Sequence, residues 1–599
     1  MLRTKSQDIA DAQNEFFIEK IKLIKESLVS STADPLSLLR KLMKNRTCSF
    51  SLKPVHPDTV KKVLVGLSNS KSFGFDNIDT YCLKLAKDEL GPAITHIVNL
   101  SISQKCFPDA WKKSKVVPLY KKDDQLNPKN YRPVSILPIL SKVLEKVIYG
   151  QIMEYLHLNQ LLHPNSHAYR RGHNTTTALI SMYDSWTQSV DAGLSTGAIV
   201  LDMSAAFDII DRQLLLKKLS LIGFEDDVVG WLNSYLSNRS QSVCVNGVQS
   251  KLLPTDTGVP QGSILGPLLY TLYTLEVPEV IHEYSDKDEN SIKWPPYHTS
   301  NKNFDNIVVY ADDTTVNLTA ANDSELSLKL ETNFKKVSEF MVSQGLKLND
   351  DKSHLLVFSN SRSKAETGSE VILRTPLGDI RPSESEKFLG GIVQRDLKWT
   401  GHIISDRDNL VSALNKRCNA LKLITRVASF KTRKAIANGM FMGKLIYLIS
   451  VWGGTTKCNL DALQCIQNRA ARLVTRNWKA GTAENLNVIG WLSVNQLVFY
   501  HSVTLMFKLK LSRSVGSPSV PQYLTSMFNW NYDYNTRQAT GEKIKPKGNP
   551  KLEATRKGFR YRAAESLNQL PEQITKANNV KAFKLKAKTW IKHNVNVRA

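Results

Sequence analysis

Two adjacent aspartates, Asp312 and Asp313, lie between two apolar runs within residues 307–316. Strand patterns on both sides of a short polar centre predict a tight β-hairpin. Two carboxylates this close repel each other unless something positive lies between them, and a divalent metal ion usually fills that role. An acidic turn without a metal is the alternative, because Asp is common in turns. The hairpin alone does not decide between the two.

A third carboxylate, Asp202, ends a second apolar run at residues 197–201. Such an unbroken run predicts a strand that is buried on both faces. A carboxylate at its end lies at the mouth of the sheet, where α/β folds bind ligands. Asp208, further along, has the simpler explanation of an N-cap for the next helix. If the two strands are neighbours, three carboxylates converge and suit two Mg²⁺ ions about 3.5–4 Å apart.

Cationic and glycine-rich segments lie between and before these carboxylates. Lys121 and Arg132 belong to a strand-loop-strand pattern at residues 115–135, where Arg would bind two phosphate oxygens and Lys would act as a point charge. A Lys-rich surface loop explains the same residues without a ligand. Residues 256–270 combine three glycines with two prolines, which predicts a tight loop whose backbone can approach a ligand closely. Gln261 and Gly262 lie in this loop.

Further elements follow from periodicity. An amphipathic helix is predicted over 322–346, a strand over 354–358, and a polar surface insertion over 276–305. From about residue 405 the pattern is helical, over 410–430, 432–452 and 460–475. Basic residues lie along these helices, and a solvated face or a groove for a nucleic-acid backbone explains them equally well. Helices are also predicted near 556–568 and 579–593.

Composition limits the class of protein. The 599 residues contain 80 Lys and Arg against 55 Asp and Glu, which gives a net charge of +25. This excess is spread along the chain and suits a polyanionic partner, although basic charge alone is weak evidence. Seven cysteines without a C-x-x-C pair argue against a disulfide framework or a zinc knuckle. Without an apolar signal sequence or a membrane-length apolar run, we expect an intracellular, soluble protein of two to four domains.

The order of these blocks resembles the reverse transcriptases of non-LTR retrotransposons, of the Jockey/CR1-like LINE kind. The resemblance covers about residues 107–400, and the helical and basic remainder also resembles those elements, including residues 467–472. The matching stretches are Pro118-Leu119-Tyr120-Lys121, Tyr131-Arg132-Pro133, Arg170-Arg171-Gly172-His173, Leu201-Asp202-Met203-Ser204-Ala205-Ala206-Phe207-Asp208, Gly258-Val259-Pro260-Gln261-Gly262-Ser263, Tyr310-Ala311-Asp312-Asp313, Asn349-Asp350-Asp351-Lys352-Ser353 and Phe388-Leu389-Gly390.

The resemblance implies an α+β fold of the right-hand polymerase type. We expect an N-terminal helical extension at 1–106, and fingers and palm at 107–400, the palm being a ferredoxin-like antiparallel sheet with helices. A helical thumb-like region would follow at 401–500 and a basic C-terminal region at 501–599. Elements of this kind usually begin with an endonuclease domain, and nothing of that size precedes residue 107. We therefore expect the polymerase part of an element, with DNA nicking supplied from elsewhere.

The resemblance also implies residue roles. Asp202, Asp312 and Asp313 correspond to the catalytic, metal-binding carboxylates, which would hold two Mg²⁺ ions, with Mn²⁺ as an alternative. Lys352 would lie near the leaving pyrophosphate as a proton donor. Phe207 occupies the position of a bulky gate against the ribose 2′-hydroxyl.

The remaining implied roles concern the nucleotide and the strands. Gln261 and Gly262 would lie near the incoming nucleotide and template, and Lys121 and Arg132 would hold its phosphates. The expected partners are an RNA template, a DNA primer or target and dNTPs, with no membrane, in a ribonucleoprotein of the nucleus or cytoplasm.

The expected function is an RNA-directed DNA polymerase that extends a DNA 3′-end on an RNA template, by target-primed reverse transcription. Two alternatives stay open. A catalytically silent nucleic-acid-binding relic would keep the fold without the reaction, and an RNA-dependent RNA polymerase would share the palm. Phe207 argues against the second alternative.

Overall fold

The computed structural model describes residues 5–28, 31–69, 72–283, 304–349, 352–358, 371–376, 378–515, 520–536 and 539–595. The architecture is α+β. The helices, in chain order, are α1 (Ser6–Glu26), α2 (Ser37–Met43), α3 (Pro57–Gly66), α4 (Thr80–Leu85), α5 (Lys87–Ser103), α6 (Ile139–Leu158), α7 (Thr175–Asp191), α8 (Arg212–Leu221), α9 (Asp226–Leu236), α10 (Leu265–Tyr273), α11 (Asp323–Ser343), α12 (Leu410–Thr425), α13 (Phe430–Ala437), α14 (Gly443–Leu445), α15 (Ile449–Trp452), α16 (Lys457–Thr475), α17 (Thr482–Ile489), α18 (Val494–Val515), α19 (Gln522–Ser526), α20 (Glu553–Lys557), α21 (Phe559–Asn568), α22 (Glu572–Thr575) and α23 (Val580–Asn594).

The strands form several separate sheets. In chain order they are β1 (Lys113–Tyr120), β2 (Tyr131–Ile136), β3 (Ser195–Leu201), β4 (Arg239–Val245), β5 (Val248–Gln249), β6 (Leu253–Thr255), β7 (Asn306–Tyr310), β8 (Asp313–Ala320), β9 (His354–Phe358), β10 (Leu373–Thr375), β11 (Gly378–Ile380), β12 (Ser385–Phe388), β13 (Gly391–Gln394), β14 (Phe528–Thr536) and β15 (Ala539–Pro546). The chain divides into two compact units, each built from three segments that are separated in sequence.

The first unit comprises Met1–Tyr169, Asp202–Thr299 and Asn333–Asp351. Its five-stranded sheet has the order β2-β1-β4-β5, and β6 pairs with β4. β1 and β2 are antiparallel, which confirms the predicted strand-loop-strand pattern, whereas β1 and β4 are parallel. α1 packs on this sheet through Phe17, which clusters with Val116 of β1 and Val243 of β4.

The second unit comprises Arg170–Leu201, Ser300–Thr332 and Lys352–Ala599. Its four-stranded sheet has the order β7-β8-β3-β9, and every pair in it is antiparallel. Every residue of β3 except Val200 is buried, which confirms the prediction of a strand covered on both faces. The apolar core of this unit continues from α7 and the sheet into α12 and the helices that follow it.

The structure differs from the sequence-based predictions in one predicted helix and in one hairpin that was not predicted. The single helix predicted over 432–452 is broken by a π-helical turn at Asn438–Met442 and by Leu448, whose φ is +57°. Glycine has low helix propensity, and Gly439 and Gly443 lie in and directly after the π turn. The β14–β15 hairpin was not predicted. Residues 528–535 do alternate aromatic with polar residues, which is a strand pattern, whereas residues 539–546 contain one large apolar residue, Ile544, and give no such signal. Most of the insertion predicted at 276–305 lies outside the described residues.

None of the described helices is long and apolar enough to span a lipid bilayer.

Candidate functional site

The two adjacent aspartates lie at a two-residue turn. β7 and β8 pair antiparallel, and their last pair joins Tyr310 to Asp313. Ala311 and Asp312 form the turn, and Ala311 has a φ of +58°. A residue with a Cβ rarely adopts this left-handed conformation, so the packing of the two strands must stabilise it. The predicted hairpin is therefore confirmed, with Asp312 at its tip and Asp313 exposed at the start of β8.

The register of the second unit brings the two predicted strands together. β3 and β8 are antiparallel neighbours, and Leu201 pairs with Thr314. Asp202 directly follows Leu201 in the chain, and Asp313 directly precedes Thr314. The end of β3 and the start of β8 therefore share one edge of the sheet, as the sequence predicted.

Carboxylate oxygens are suitable ligands for Mg²⁺ or Mn²⁺. In the described part of the chain, however, no three His, Cys, Asp or Glu side chains are grouped closely enough to hold a metal ion. A metal role for Asp202, Asp312 and Asp313 therefore rests on strand register and residue type, and it stays a prediction.

Asn349 supports Asp202, and sequence reasoning gave it no role. The Asn349 side-chain amide donates to the Asp202 carboxylate at 3.3 Å, and its backbone N–H donates to the Asp202 carbonyl at 2.8 Å. A β-bridge between Met203 and Leu348 holds the same two segments together. The motif that contains Asn349 was recognised, but the contact itself is long-range and carries no local signal. Asp350 and Asp351, from the same motif, lie outside the described residues.

Lys352 lies in the second unit, exposed, just before β9. Nothing in the structure tests its predicted role beside the pyrophosphate.

Phe207 is held between two other aromatic side chains. Its ring stacks on Tyr270 with centroids 4.6 Å apart, and Tyr169 meets it edge-on at 6.5 Å. Its backbone carbonyl accepts a hydrogen bond from Val259 N–H at 2.9 Å, which ties it to the glycine- and proline-rich loop. The ring is half-buried, so one part of it is accessible while the stack limits its rotation.

The loop at residues 256–263, named here the nucleotide loop, packs against the segment that follows Phe207. Gln261 Nε2 donates to the Asp208 carboxylate at 2.7 Å, and Thr257 Oγ1 donates to the Asp208 carbonyl at 2.9 Å. Burial raises the pKa of Asp208 to about 6, although the hydrogen bond from Gln261 and the charge of Lys20 act in the opposite direction. Asp208 is therefore a partner of the nucleotide loop.

The predicted capping role of Asp208 is wrong. Asp211 caps α8 instead, because its side chain accepts from the backbone N–H groups of Gln213 and Leu214.

Gly262 is required by the way the nucleotide loop approaches β2. Its φ is +108°, and a Cβ at this position would lie 2.4 Å from the carbonyl oxygen of Ser135. Ser135 N–H in turn donates to the Gln261 carbonyl at 3.0 Å. Any side chain at residue 262 would push the loop away from the strand. The loop backbone thus approaches β2 closely, and its predicted approach to a ligand stays a prediction.

Lys121 and Arg132 occupy one end of the β1–β2 pair. Arg132 lies opposite Leu119 in the register, and Lys121 N–H donates to the Asn130 carbonyl at 2.8 Å. Both residues are exposed, and they belong to the first unit together with the nucleotide loop. Their role as a phosphate clamp stays a prediction.

Glu145 is a buried residue that supports this region, and sequence reasoning missed it. Its buried carboxylate accepts from the backbone N–H groups of Ile264 at 2.7 Å and Leu265 at 3.1 Å, and from Ser141 Oγ at 2.9 Å. It thereby neutralises the N-terminus of α10, which directly follows the nucleotide loop. The apolar periodicity of α6 gives no sign that Glu145 is buried, because the backbone N–H groups of Ile264 and Leu265 lie far away in sequence.

Glu145→Gln is expected to lower the free energy of unfolding by about 1–3 kcal/mol, because one buried N–H would lose its acceptor and the amide would add an unpaired donor. Urea denaturation of the two proteins measures this difference. Glu154→Gln is the matched control, since Glu154 is an exposed residue of the same helix. Equal stabilities of the two variants would show that the Glu145 contacts do not stabilise the loop and α10.

Comparison with known proteins agrees with this description. Residues 119–404 match the family model "Reverse transcriptase (RNA-dependent DNA polymerase)". The chain is 26% identical over 435 residues to the "Probable RNA-directed DNA polymerase from transposon BS" of Drosophila melanogaster, an alignment that covers 71% of this chain and 45% of the relative. It is 25% identical over 461 residues to the corresponding protein "from transposon X-element" of the same species, covering 76% and 47%.

A third relative has the same character. The "RNA-directed DNA polymerase from mobile element jockey" of Drosophila melanogaster is 25% identical over 436 residues, which cover 71% of this chain and 44% of the relative. The chain thus spans less than half the length of each of these curated relatives. The family match includes the β7–β8 hairpin, the nucleotide loop and the β12–β13 hairpin. Residues 119–404 therefore form a reverse transcriptase domain of the Jockey-like LINE kind.

Proposed function

We propose that this chain is an RNA-directed DNA polymerase of a non-LTR retrotransposon, which extends a DNA 3′-end on an RNA template. The observation that supports it best is the β3–β8 register, because it brings the strand end before Asp202 to the edge where Asp313 begins its strand. The printed names of the relatives, each an RNA-directed DNA polymerase of a mobile element, support the same reaction. Target-primed synthesis, in which a nicked DNA target supplies the 3′-end, is part of the proposal.

In this proposal the antiparallel β7-β8-β3-β9 sheet is the palm, the β1–β2 pair belongs to the fingers, and the helices from α12 onward form the thumb. An antiparallel sheet with carboxylates at one edge suits phosphoryl transfer, because that reaction depends on positioning and on neutralising charge. The chain's net charge of +25 suits a nucleic-acid backbone, whose binding weakens steeply with salt.

Asp202, Asp312 and Asp313 would hold two divalent ions, Mg²⁺ or Mn²⁺. When bound, such ions lower the pKa of the attacking 3′-hydroxyl and neutralise charge on the triphosphate. Asn349 would restrict the orientation of the Asp202 carboxylate through the hydrogen bond described above. The reverse transcriptase family generally uses divalent metals, and a set of carboxylates is the donor set that such ions prefer.

The remaining residues would bind and select the nucleotide. Arg132 would contact two phosphate oxygens through its planar guanidinium, and Lys121 would add a point charge. Gln261 and Gly262 would contact the base pair, since contacts with Asp208 and Ser135 hold their loop in a fixed position. Lys352 would donate a proton to the departing pyrophosphate.

Primer extension tests this function directly. With a DNA primer annealed to an RNA template, dNTPs and Mg²⁺, the full chain is expected to lengthen the primer, and EDTA is expected to stop it. Salt-sensitive binding of the primed template without any extension under these conditions would identify the chain as a silent nucleic-acid-binding relic and contradict the proposal.

A further inference from the structure

Helix α5 of the first unit is fixed in the fold through one apolar face. Ile94, Val98 and Ile102 on this inner face are buried. The buried hydroxyl of Ser101 accepts a hydrogen bond from Trp231 Nε1 at 3.0 Å, which joins α5 to α9. A helix that is held through one face normally presents polar and charged residues on the opposite face.

The outer face of α5 is apolar instead. Four exposed residues form it, and we name them the α5 stripe: Leu90, Ala93, Ile97 and Leu100. The three large side chains, those of Leu90, Ile97 and Leu100, are 40%, 38% and 41% exposed. Residues 90–103 contain no Asp, Glu, Lys or Arg, and His96 is the one titratable residue among them. An exposed apolar helix face without charged residues indicates a surface that another element covers.

The spacing of the α5 stripe matches that of helices which pack in pairs. Its residues are three, four and three positions apart, which corresponds to positions a and d of a heptad. In an antiparallel pair, an a residue of one helix faces a d residue of the other. A two-fold axis level with Thr95 would place Leu90 opposite Leu100 of a second copy and Ala93 opposite Ile97. The small Ala93 leaves room for the Ile97 side chain, so the stripe is complementary to itself.

We propose that the α5 stripe is a dimer interface, at which α5 packs antiparallel against α5 of a second copy of this chain. Antiparallel packing also places the positive N-terminal end of each helix dipole beside the negative C-terminal end of the other. A nucleic acid would require cations and a charged peptide would require a rim of opposite charge, and the stripe offers neither. Because α5 precedes residues 119–404, this association lies outside the reverse transcriptase domain and goes beyond the proposed polymerase reaction.

The area of the interface limits the expected affinity. α5 has 17 residues and is therefore about 25 Å long and about 10 Å wide. Stable dimers bury about 1,200–2,000 Å² in total, which is more than one pair of such helices supplies. The short helix α4 directly precedes α5 and exposes Tyr81 and Leu85, and we expect both residues to extend the interface. The expected result is a reversible dimer with a micromolar dissociation constant.

Sedimentation equilibrium of the full chain measures this association. The protein is treated with nuclease and measured in high salt, and a monomer–dimer equilibrium is expected. High salt weakens binding to nucleic acid, which would otherwise link two basic chains, but it does not weaken apolar packing. A dimer that disappears on nuclease treatment would therefore be held by nucleic acid and would contradict the proposal.

Ile97→Glu tests whether the α5 stripe forms the interface. The substitution is expected to raise the dissociation constant at least about a hundredfold, because each dimer would bury two unpaired carboxylates beside the axis. Leu158→Glu is the matched control, since Leu158 is an exposed residue of α6 in the same unit and lies outside the stripe. Thermal unfolding by circular dichroism establishes that each variant is folded, and Leu100→Glu replaces Ile97→Glu if that variant is not.

A mixture of two variants tests the antiparallel register. Chains with Ala93→Lys and chains with Ile97→Glu are each expected to be monomeric alone. Together they are expected to form a mixed dimer, because the register places the lysine of one copy opposite the glutamate of the other.

Three results would overturn the proposal. The first is an unmodified chain that stays monomeric at micromolar concentration. The second is a dimer that Ile97→Glu weakens no more than Leu158→Glu does, and the third is a mixture of the two charged variants that stays monomeric. None of these measurements uses primer extension, so their outcome is independent of whether the chain is a polymerase.

Discussion

Asp312→Asn is expected to lower the rate of dNTP incorporation on a primed RNA by about a thousandfold or more. A metal ion held by carboxylates stabilises the charge of the transition state by several kcal/mol. Each 1.36 kcal/mol corresponds to about tenfold in rate. Asn has nearly the same shape as Asp but no charge, so the hairpin is expected to keep its fold while losing its affinity for the metal ion. Single-turnover primer extension with saturating dNTP measures the loss.

The control for this variant is Asp379→Asn. Asp379 is an exposed strand residue of the same unit, so the substitution changes the net charge equally without affecting the hairpin. Both variants are expected to bind the primed template as the unmodified chain does. The salt-dependent part of the affinity comes mainly from Lys and Arg side chains that neutralise phosphates of the nucleic acid. Extension by Asp312→Asn at the rate of Asp379→Asn would rule out the hairpin as the metal site, even if the chain proves to be a polymerase.

The strand ends beside Asp202 and Asp313 could be predicted from sequence because the signals are local. An apolar run ending in Asp202 and two strands flanking Asp312 and Asp313 each show their own periodicity, and a single assumption, that the strands are neighbours, joins them. The β3–β8 pairing supplies that neighbour relation directly. The distance in sequence between the strands had little effect on this prediction, since an acidic residue marks each strand end.

The supporting contacts could not be predicted in the same way. Gln261 and Asp208 are 53 residues apart, and Asn349 and Asp202 are 147 apart, so neither pair leaves a local pattern. Asp208 and Asp211 both precede α8, and only the backbone geometry decides that Asp211 is the cap. Glu145 shows the same limit, because a charged residue on a helix normally indicates a solvated face. Burial of such a group becomes visible only when its partners are located.

These hidden contacts converge on one part of the first unit. Asp208 and Ser135 hold the nucleotide loop, Glu145 fixes the start of the helix that follows it, and Val259 ties it to Phe207. A loop that is held at several points cannot easily change its conformation to fit different nucleotides. Such a loop favours discrimination between similar substrates. Selectivity for the sugar is therefore the property on which the Phe207 ring should have the largest effect.

Phe207→Ala is expected to lower the preference for dNTPs over NTPs by about tenfold to a hundredfold. A stacked ring beside the sugar would clash with a 2′-hydroxyl, and exclusion by steric bulk is typically worth about that much discrimination. The Tyr270 stack and the Tyr169 edge contact hold the ring, so the clash cannot be relieved by rotation. The ratio of kcat/KM for a dNTP and the matching NTP, measured on one primed RNA template, reports the change.

Tyr270→Phe is the matched control, because it keeps the aromatic stack and removes only a hydroxyl, so the sugar preference should stay as in the unmodified chain. Tyr270→Ala should instead lower the preference partly, since the Phe207 ring would remain but lose the surface that fixes it. An unchanged ratio in Phe207→Ala, with extension still measurable, would refute the gate. An unmodified chain that incorporates NTPs better than dNTPs would favour the RNA-polymerase alternative, because the ring would then exclude nothing.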